Sequence, residues 1–215
     1  MESSLLVAPD AGPWTLDREA PRPRADPRPL AAPSDAGRRP DDDQLANLIG
    51  AVRSVTTRRL PWARTADLVA NRLSRHLPWP DVLTHAEREG DPVAARTQLL
   101  HAEADGSFSI VALVLRPGQS TPIHDHVTWC VFGVVQGSER EERYVLREDG
   151  CLELAATSVN LAGDVDGLTP PGDIHLVRND DVPCAISLHI YGTDVSRLGT
   201  SVRRIYNVPV RSGRT

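Results

Sequence analysis

From about residue 94 onward the chain is cut into short apolar runs by Gly, Pro, Asp and Asn, with no helical stretch between them. Runs such as WCVFGVVQ (129–136), ERYVL (142–146), CLELAA (151–156), VNLAG (159–163), HLVRN (175–179), CAISLHIYG (184–192) and RRIYNV (203–208) are each of strand length. A chain of this kind buries its apolar side chains by laying many short strands face to face, as an all-β barrel or sandwich. The segment from Phe108 to Leu115 is apolar on both of its alternating faces and ends at the turn Pro117-Gly118. No internal repeat is found.

Ahead of the strands the period is helical. From Asp41, the residues Leu45, Leu48, Ile49, Val52 and Val55 recur three and four apart, behind an acidic start that suits a helix N-terminus. A second helix is expected from about Thr65 to His76, with Leu68, Val69, Leu73 and Leu77 turned inward. A short third one is expected after Pro80, with Asp81 as its cap. These helices are too few to fold alone and are expected on the outside of the barrel. Residues 1–40 are dense in Pro, Arg, Ala and Asp and poor in large apolar residues, which reads as a disordered arm. The expected organisation is an arm over 1–40, helices over 41–90 and a barrel over 91–215.

At 215 residues and 40% hydrophobic content, the chain is long enough for one domain with a real core plus an appendage. A net charge of -5 and the lack of a basic stripe argue against nucleic acid and leave small molecules as the expected partners. No basic n-region opens the chain, and no apolar run approaches the roughly 20 residues of a membrane helix. The expectation is a soluble, cytoplasmic protein with no membrane partner. Cys130, Cys151 and Cys184 are odd in number and irregular in spacing, so reduced thiols are expected rather than a disulfide framework.

The chemistry lies in two stretches. The first runs from Gly118 through His124-Asp125-His126 and Trp129-Cys130 to Gly137; the second runs from Pro170 through Gly172 and His175 to Asn179. Residues two apart on a strand point to the same face, so His124 and His126 can approach one ion, with His175 arriving from a distant strand. Three neutral imidazoles leave coordination positions open for substrate and O2 or water. Asp125 points away from such an ion on a regular strand, Trp129 suits a core position, and His76, His85 and His101 have no companions at ligand spacing.

These residues resemble the cupin superfamily. Its first motif is met by Gly118, His124, His126 and Gly137, with Cys130 standing where an acidic ligand is usual. Its second is met by Pro170, Gly172, His175 and Asn179, with the leading Gly displaced by one, to Gly163. The resemblance implies a cupin barrel, a double-stranded β-helix, holding a metal on His124, His126 and His175. Loss of the carboxylate is similar to the thiol dioxygenase branch, the cysteine dioxygenase and 3-mercaptopropionate dioxygenase enzymes. Their Ser-x-His-x-Tyr relay is matched by Ser187, His189 and Tyr191, which alternation places on one face. The resemblance covers roughly residues 94–206.

The resemblance therefore implies an Fe(II) enzyme that uses O2 to convert a small thiol, cysteine or 3-mercaptopropionate, to its sulfinate. It implies catalytic roles for Tyr191, His189 and Ser187. Cys130 lies near the place of a cysteine that is crosslinked to this tyrosine in animal relatives, so a thioether to Tyr191 is one expectation and a buried inert thiol the other. Cys151 and Cys184 are expected to be inert. A substrate carboxylate needs a cation, and Arg96 lies near the place of the family's carboxylate-binding arginine. Thr97 and Gln98 are also candidates, with Arg143, Tyr144 and Arg178 in reserve. The alternatives are a non-oxidative metal-dependent cupin, isomerase or hydrolase, and a ligand-sensing cupin.

Overall fold

The structure, a computed structural model, describes residues 42–211 apart from positions 79 and 181. The expected arm over 1–40 and the start of the first helix at Asp41 lie outside the described residues. Helix α1 spans Asp42–Thr56 and α2 spans Trp62–His76. Their inner faces bury Leu45, Leu48, Val52, Val55, Val69 and Leu73, each contributing about 1.5–3 kcal/mol of burial. Helix α2 starts three residues before the expected Thr65, because Pro61 carries a φ of -53° and takes the N-cap position. Thr65 then lies inside the helix, buried, with its hydroxyl donating to the Leu60 carbonyl at 3.1 Å.

The expected third helix is displaced. Pro80–Val82 forms only a 3-10 turn, and α3 follows at His85–Arg88. Its cap is Thr84 rather than Asp81. The Thr84 hydroxyl accepts from the Glu87 N–H at 3.3 Å, and the Glu87 carboxylate accepts from the Thr84 N–H at 2.8 Å. This reciprocal capping box satisfies two otherwise orphaned N–H groups, which Asp81 leaves unanswered.

Eleven strands follow among the described residues: β1 Arg96–Ala102, β2 Ser109–Leu115, β3 His124–His126, β4 Cys130–Gln136, β5 Ser138–Leu146, β6 Leu152–Leu161, β7 Val165–Leu168, β8 His175–Arg178, β9 Ala185–Tyr191, β10 Val202–Ile205 and β11 Val210–Arg211. A four-residue helix, α4 Val195–Leu198, lies between β9 and β10. One sheet has the order β1-β2-β9-β4-β7 and the other β10-β3-β8-β5-β6-β11. Both sheets curl, and they face each other as a half-barrel.

The apolar pattern of β2 has its reason in this arrangement. Phe108, Ile110, Ala112 and Val114 join Ile186, Leu188 and Ile190 in the core beneath α1 and α2. Val111, Leu113 and Leu115 face the other way, into the barrel, where Leu113 and Leu115 pack with Ala185. Every residue of β2 is buried. The motif glycine Gly137 turns between β4 and β5 with a φ of +73°, and a Cβ there would lie 2.5 Å from the Cys184 carbonyl oxygen, so only glycine fits. Among the described residues no helix is long and apolar enough to cross a membrane.

Candidate metal centre

Two short strands bring the motif histidines together. β3 pairs with β8 through His124 opposite His175, and β8 in turn lies against β5, with His175 opposite Arg143. Alternation along β3 puts His126 on the same face as His124 and sends Asp125 to the outer face, where the Tyr206 hydroxyl donates to its carboxylate at 2.9 Å. The three rings are buried, their centroids lie 4.8 to 5.1 Å apart, and one nitrogen of each lies within 4.8 Å of the others.

The hydrogen bonds on the far side of each ring fix which nitrogen is free. His124 Nδ1 is 2.9 Å from the Pro122 carbonyl oxygen, His126 Nδ1 is 3.1 Å from Asp173, and His175 Nδ1 is 2.8 Å from Glu141. A carbonyl or carboxylate oxygen can only accept, so each Nδ1 carries the hydrogen and each Nε2 presents a lone pair. Burial first, and then the neighbouring imidazoles, hold His124 well below the usual histidine pKa. For His175 burial again leads, followed by His126 and Arg143. Both rings therefore stay neutral, as ligation requires. The Nε2 of His126 is buried with no hydrogen-bond partner in the protein. Such an orphan costs about 1–3 kcal/mol, and a metal ion accepted by all three Nε2 atoms removes that cost. The donor set fits a divalent transition metal.

Three supporting carboxylates escape a reading of the sequence. Asp173, two residues before His175, also accepts the backbone N–H of His126 at 2.8 Å. Burial opposes its ionisation, but the hydrogen bonds from His126 prevail and keep its pKa below the usual range. Glu141 and Glu139 project inward from β5, whose run of charges reads as a solvated strand until β8 and β9 are seen beside it; both are 1% exposed. Arg143 donates to Glu141 at 3.0 Å and also pairs with Asp166.

Beside the histidines runs a second polar chain. Ser187, His189 and Tyr191 share the inward face of β9, opposite Val134, Phe132 and Cys130 of β4. The Ser187 hydroxyl donates to Glu139 at 2.8 Å and meets His189 Nε2 at 3.0 Å. His189 Nδ1 faces the Cys130 sulfur at 3.8 Å. Tyr191 lies opposite Cys130 across β4 and β9, near Ser201, and its ring centroid lies 5.7 Å from that of His126. The chain thus runs from Glu139 through Ser187 and His189 to Cys130, with Tyr191 on the strand beside it. The His189 and Tyr191 rings themselves are nearly parallel, with centroids 6.0 Å apart. Burial lowers the pKa of His189 to about 3 and raises those of Cys130 and Tyr191, so all three are uncharged near neutrality. Burial, opposed by the Ser187 hydrogen bond and aided by the Glu141 charge, raises Glu139 to about 7.

Likeness to solved structures is confined to about half of the chain. An uncharacterized conserved protein with a double-stranded β-helix domain from Klebsiella pneumoniae subsp. pneumoniae MGH 78578 superposes with a TM-score of 0.41 and 15% identity, covering 52% of this chain and 84% of that one. A Cupin 2 conserved barrel domain protein from Salinispora arenicola CNS-205 gives 0.39 and 23%, covering 51% and 83%. The oxalate decarboxylase of Lactobacillus farciminis, in its formate complex, gives 0.40 and 18%, covering 48% of this chain and 30% of that one. No family model matches the chain.

Of the remaining candidates, Arg96 and Thr97 border the cavity beside the histidines and the others fall elsewhere. Arg96 opens β1 opposite Val114 and donates to the Ala86 carbonyl oxygen at 3.3 Å, while bordering a cavity beside the histidines. Thr97 lies opposite the inward-facing Leu113, and Gln98 is buried opposite Ala112. Arg178 pairs with Asp180, and the Tyr144 hydroxyl donates to Glu142. Trp129 belongs to the core beneath the helices. Cys151 and Cys184 are free thiols, half-buried.

Proposed function

We propose that the protein is an iron-dependent thiol dioxygenase. The observation that carries this reading is the placement of Ser187, His189 and Tyr191 on one inward face, with His189 against Cys130 and Tyr191 opposite it, beside a centre of three histidines that each present Nε2. The overall change is R-SH plus O2 to R-SO2H: both oxygen atoms end on sulfur, sulfur loses four electrons and O2 gains them, so no further reductant is needed. His124, His126 and His175 would hold Fe(II), which would supply affinity for a thiolate and the redox chemistry with O2.

The protein's own part is to orient and to donate. Pro122, Asp173 and Glu141 fix the three imidazoles by their Nδ1 hydrogens, so the donors are set before a metal arrives. Tyr191, kept as a phenol by burial, can give a hydrogen bond to oxygen or to the polar end of a substrate. His189, neutral and held by Ser187, keeps Cys130 and through it Tyr191 in place. The adjacency of Cys130 and Tyr191 across β4 and β9 also supports a thioether between them, in which the S–H and a ring C–H bond break and O2 takes up the two electrons and two protons, and which an intact mass lower by two hydrogens would reveal.

The test is O2 uptake by Fe(II)-loaded protein with cysteine, 3-mercaptopropionate, cysteamine and a series of alkanethiols. Uptake matched by sulfinate, and abolished in His124→Ala, is the expected result. No uptake with any thiol despite a full iron site would defeat the proposal in favour of non-oxidative chemistry or ligand sensing.

A further inference from the structure

We infer that the substrate of this site is a thiol with an extended apolar body rather than a compact amino acid or mercaptocarboxylate. The inference rests on the dioxygenase reading for its sulfur and on the cavity for everything else. The cavity that His124 and His175 border has a volume of about 570 Å³. That is the size of pockets that hold molecules well beyond a metabolite of three carbons, which range over about 300–1,000 Å³. Cysteine has seven heavy atoms; at about 30 Å³ for each water-sized group it fills on the order of 200 Å³ and leaves more than half of this space to water.

The exposed wall is mostly apolar, with Thr97, Ser120, Thr121, Thr200 and Ser201 adding hydroxyls to it. Val111 and Leu113 of β2, Val177 of β8, Val195 of α4, and Val202 and Ile205 of β10 enclose it. Val111, Leu113, Val177 and Val195 are each at most 4% exposed, so they are fixed in the fold and not a movable rim. A chain of methylenes extending from the metal-bound sulfur would replace water along these side chains, gaining affinity by about fourfold for each group buried.

Cations that could pair with a carboxylate are few along the cavity. Among the described residues that border the cavity, Arg96 is the one arginine or lysine. Its backbone position faces Val114, a member of the core under the helices, and its guanidinium donates to Ala86 of α3. Arg143 is held by Glu141 and Asp166, and Arg178 by Asp180. A carboxylate buried against the apolar wall, away from Arg96, is strongly disfavoured.

The experiment uses protein with Co(II) in place of iron, so that ligands bind without turnover. Alkanethiols from ethanethiol to hexanethiol, their matching alcohols, cysteine and 3-mercaptopropionate are titrated by calorimetry and by thiolate-to-cobalt absorption. The expected result is a Kd that falls about fourfold per methylene over the first several groups, with hexanethiol far tighter than cysteine. In Val202→Phe, which narrows the cavity, the gain with chain length is lost while ethanethiol binding persists. A Kd indifferent to chain length, or cysteine or 3-mercaptopropionate binding more tightly than butanethiol, overturns the inference. If thiols and alcohols share the same dependence on length and no thiolate absorption develops, the thiol reading fails and the apolar specificity stands.

Discussion

Glu139 offers a quantitative test of the polar chain behind the site. Its carboxyl is 1% exposed, accepts one hydrogen bond from Ser187, and leaves its second oxygen without a protein partner. Burial and the nearby Glu141 charge raise its pKa from 4.5 to about 7 in the folded protein, against the opposing hydrogen bond. Between those two values the folded state binds more protons than the unfolded one, so stability falls as pH rises through the window and levels off above pH 7. Two and a half pKa units correspond to about 3 kcal/mol in full, of which roughly 2–3 kcal/mol falls between pH 5 and pH 8. Glu139→Gln keeps an acceptor for Ser187 and removes the titration. Urea unfolding of the chelator-treated proteins should therefore show the variant gaining about 2–3 kcal/mol on the wild type between pH 5 and pH 8. A difference that is constant with pH, or that moves in the opposite direction, would mean that the carboxyl is already ionised in the fold and would refute the reasoning.

Other perturbations follow from single contacts. Removing a carboxylate that orients an imidazole, in Asp173→Ala or Glu141→Ala, is expected to weaken metal binding about 10–100-fold, measured by competition with a chromogenic chelator. Gly133 faces α2 so closely that an added Cβ would lie 2.8 Å from Leu77 and 3.0 Å from Leu73; Gly133→Ala should lower stability by about 1–3 kcal/mol in urea without altering the metal affinity. Thr84→Ala removes the hydroxyl of the capping box and should cost about 1 kcal/mol in urea unfolding, with the metal affinity of the folded protein unchanged.

The parts legible in the sequence are those set by local periodicity. His124 and His126 two apart, the buried α1 stripe from Leu45 to Val55, and the shared face of Ser187, His189 and Tyr191 all follow from 2.0 and 3.6 residue repeats. The start of α3 was legible too, in Thr84-x-x-Glu87, but the nearer Asp81 competes for the same role and only the hydrogen bonds decide. Glu139 and Glu141 were not legible. Their strand is charged at most positions, and nothing local distinguishes the two carboxylates that turn inward from Glu142, which turns out to Tyr144. Their role exists only because β5 pairs with β8 and Glu139 meets β9 across the barrel, contacts tens of residues apart in the chain. For Cys130 the neighbourhood of Tyr191 was expected from the resemblance, but nothing in the sequence shows that its sulfur also faces His189 at 3.8 Å.

The most direct measurement of the central claim is the fate of isotopic oxygen. Fe(II)-loaded protein is given ¹⁸O2 and the thiol that binds most tightly, and the product is read by mass spectrometry. The account predicts a sulfinate carrying two labelled oxygen atoms, formed with one O2 consumed per thiol and absent in His124→Ala. A disulfide or unlabelled product, or no turnover by protein whose iron site is full, would contradict it.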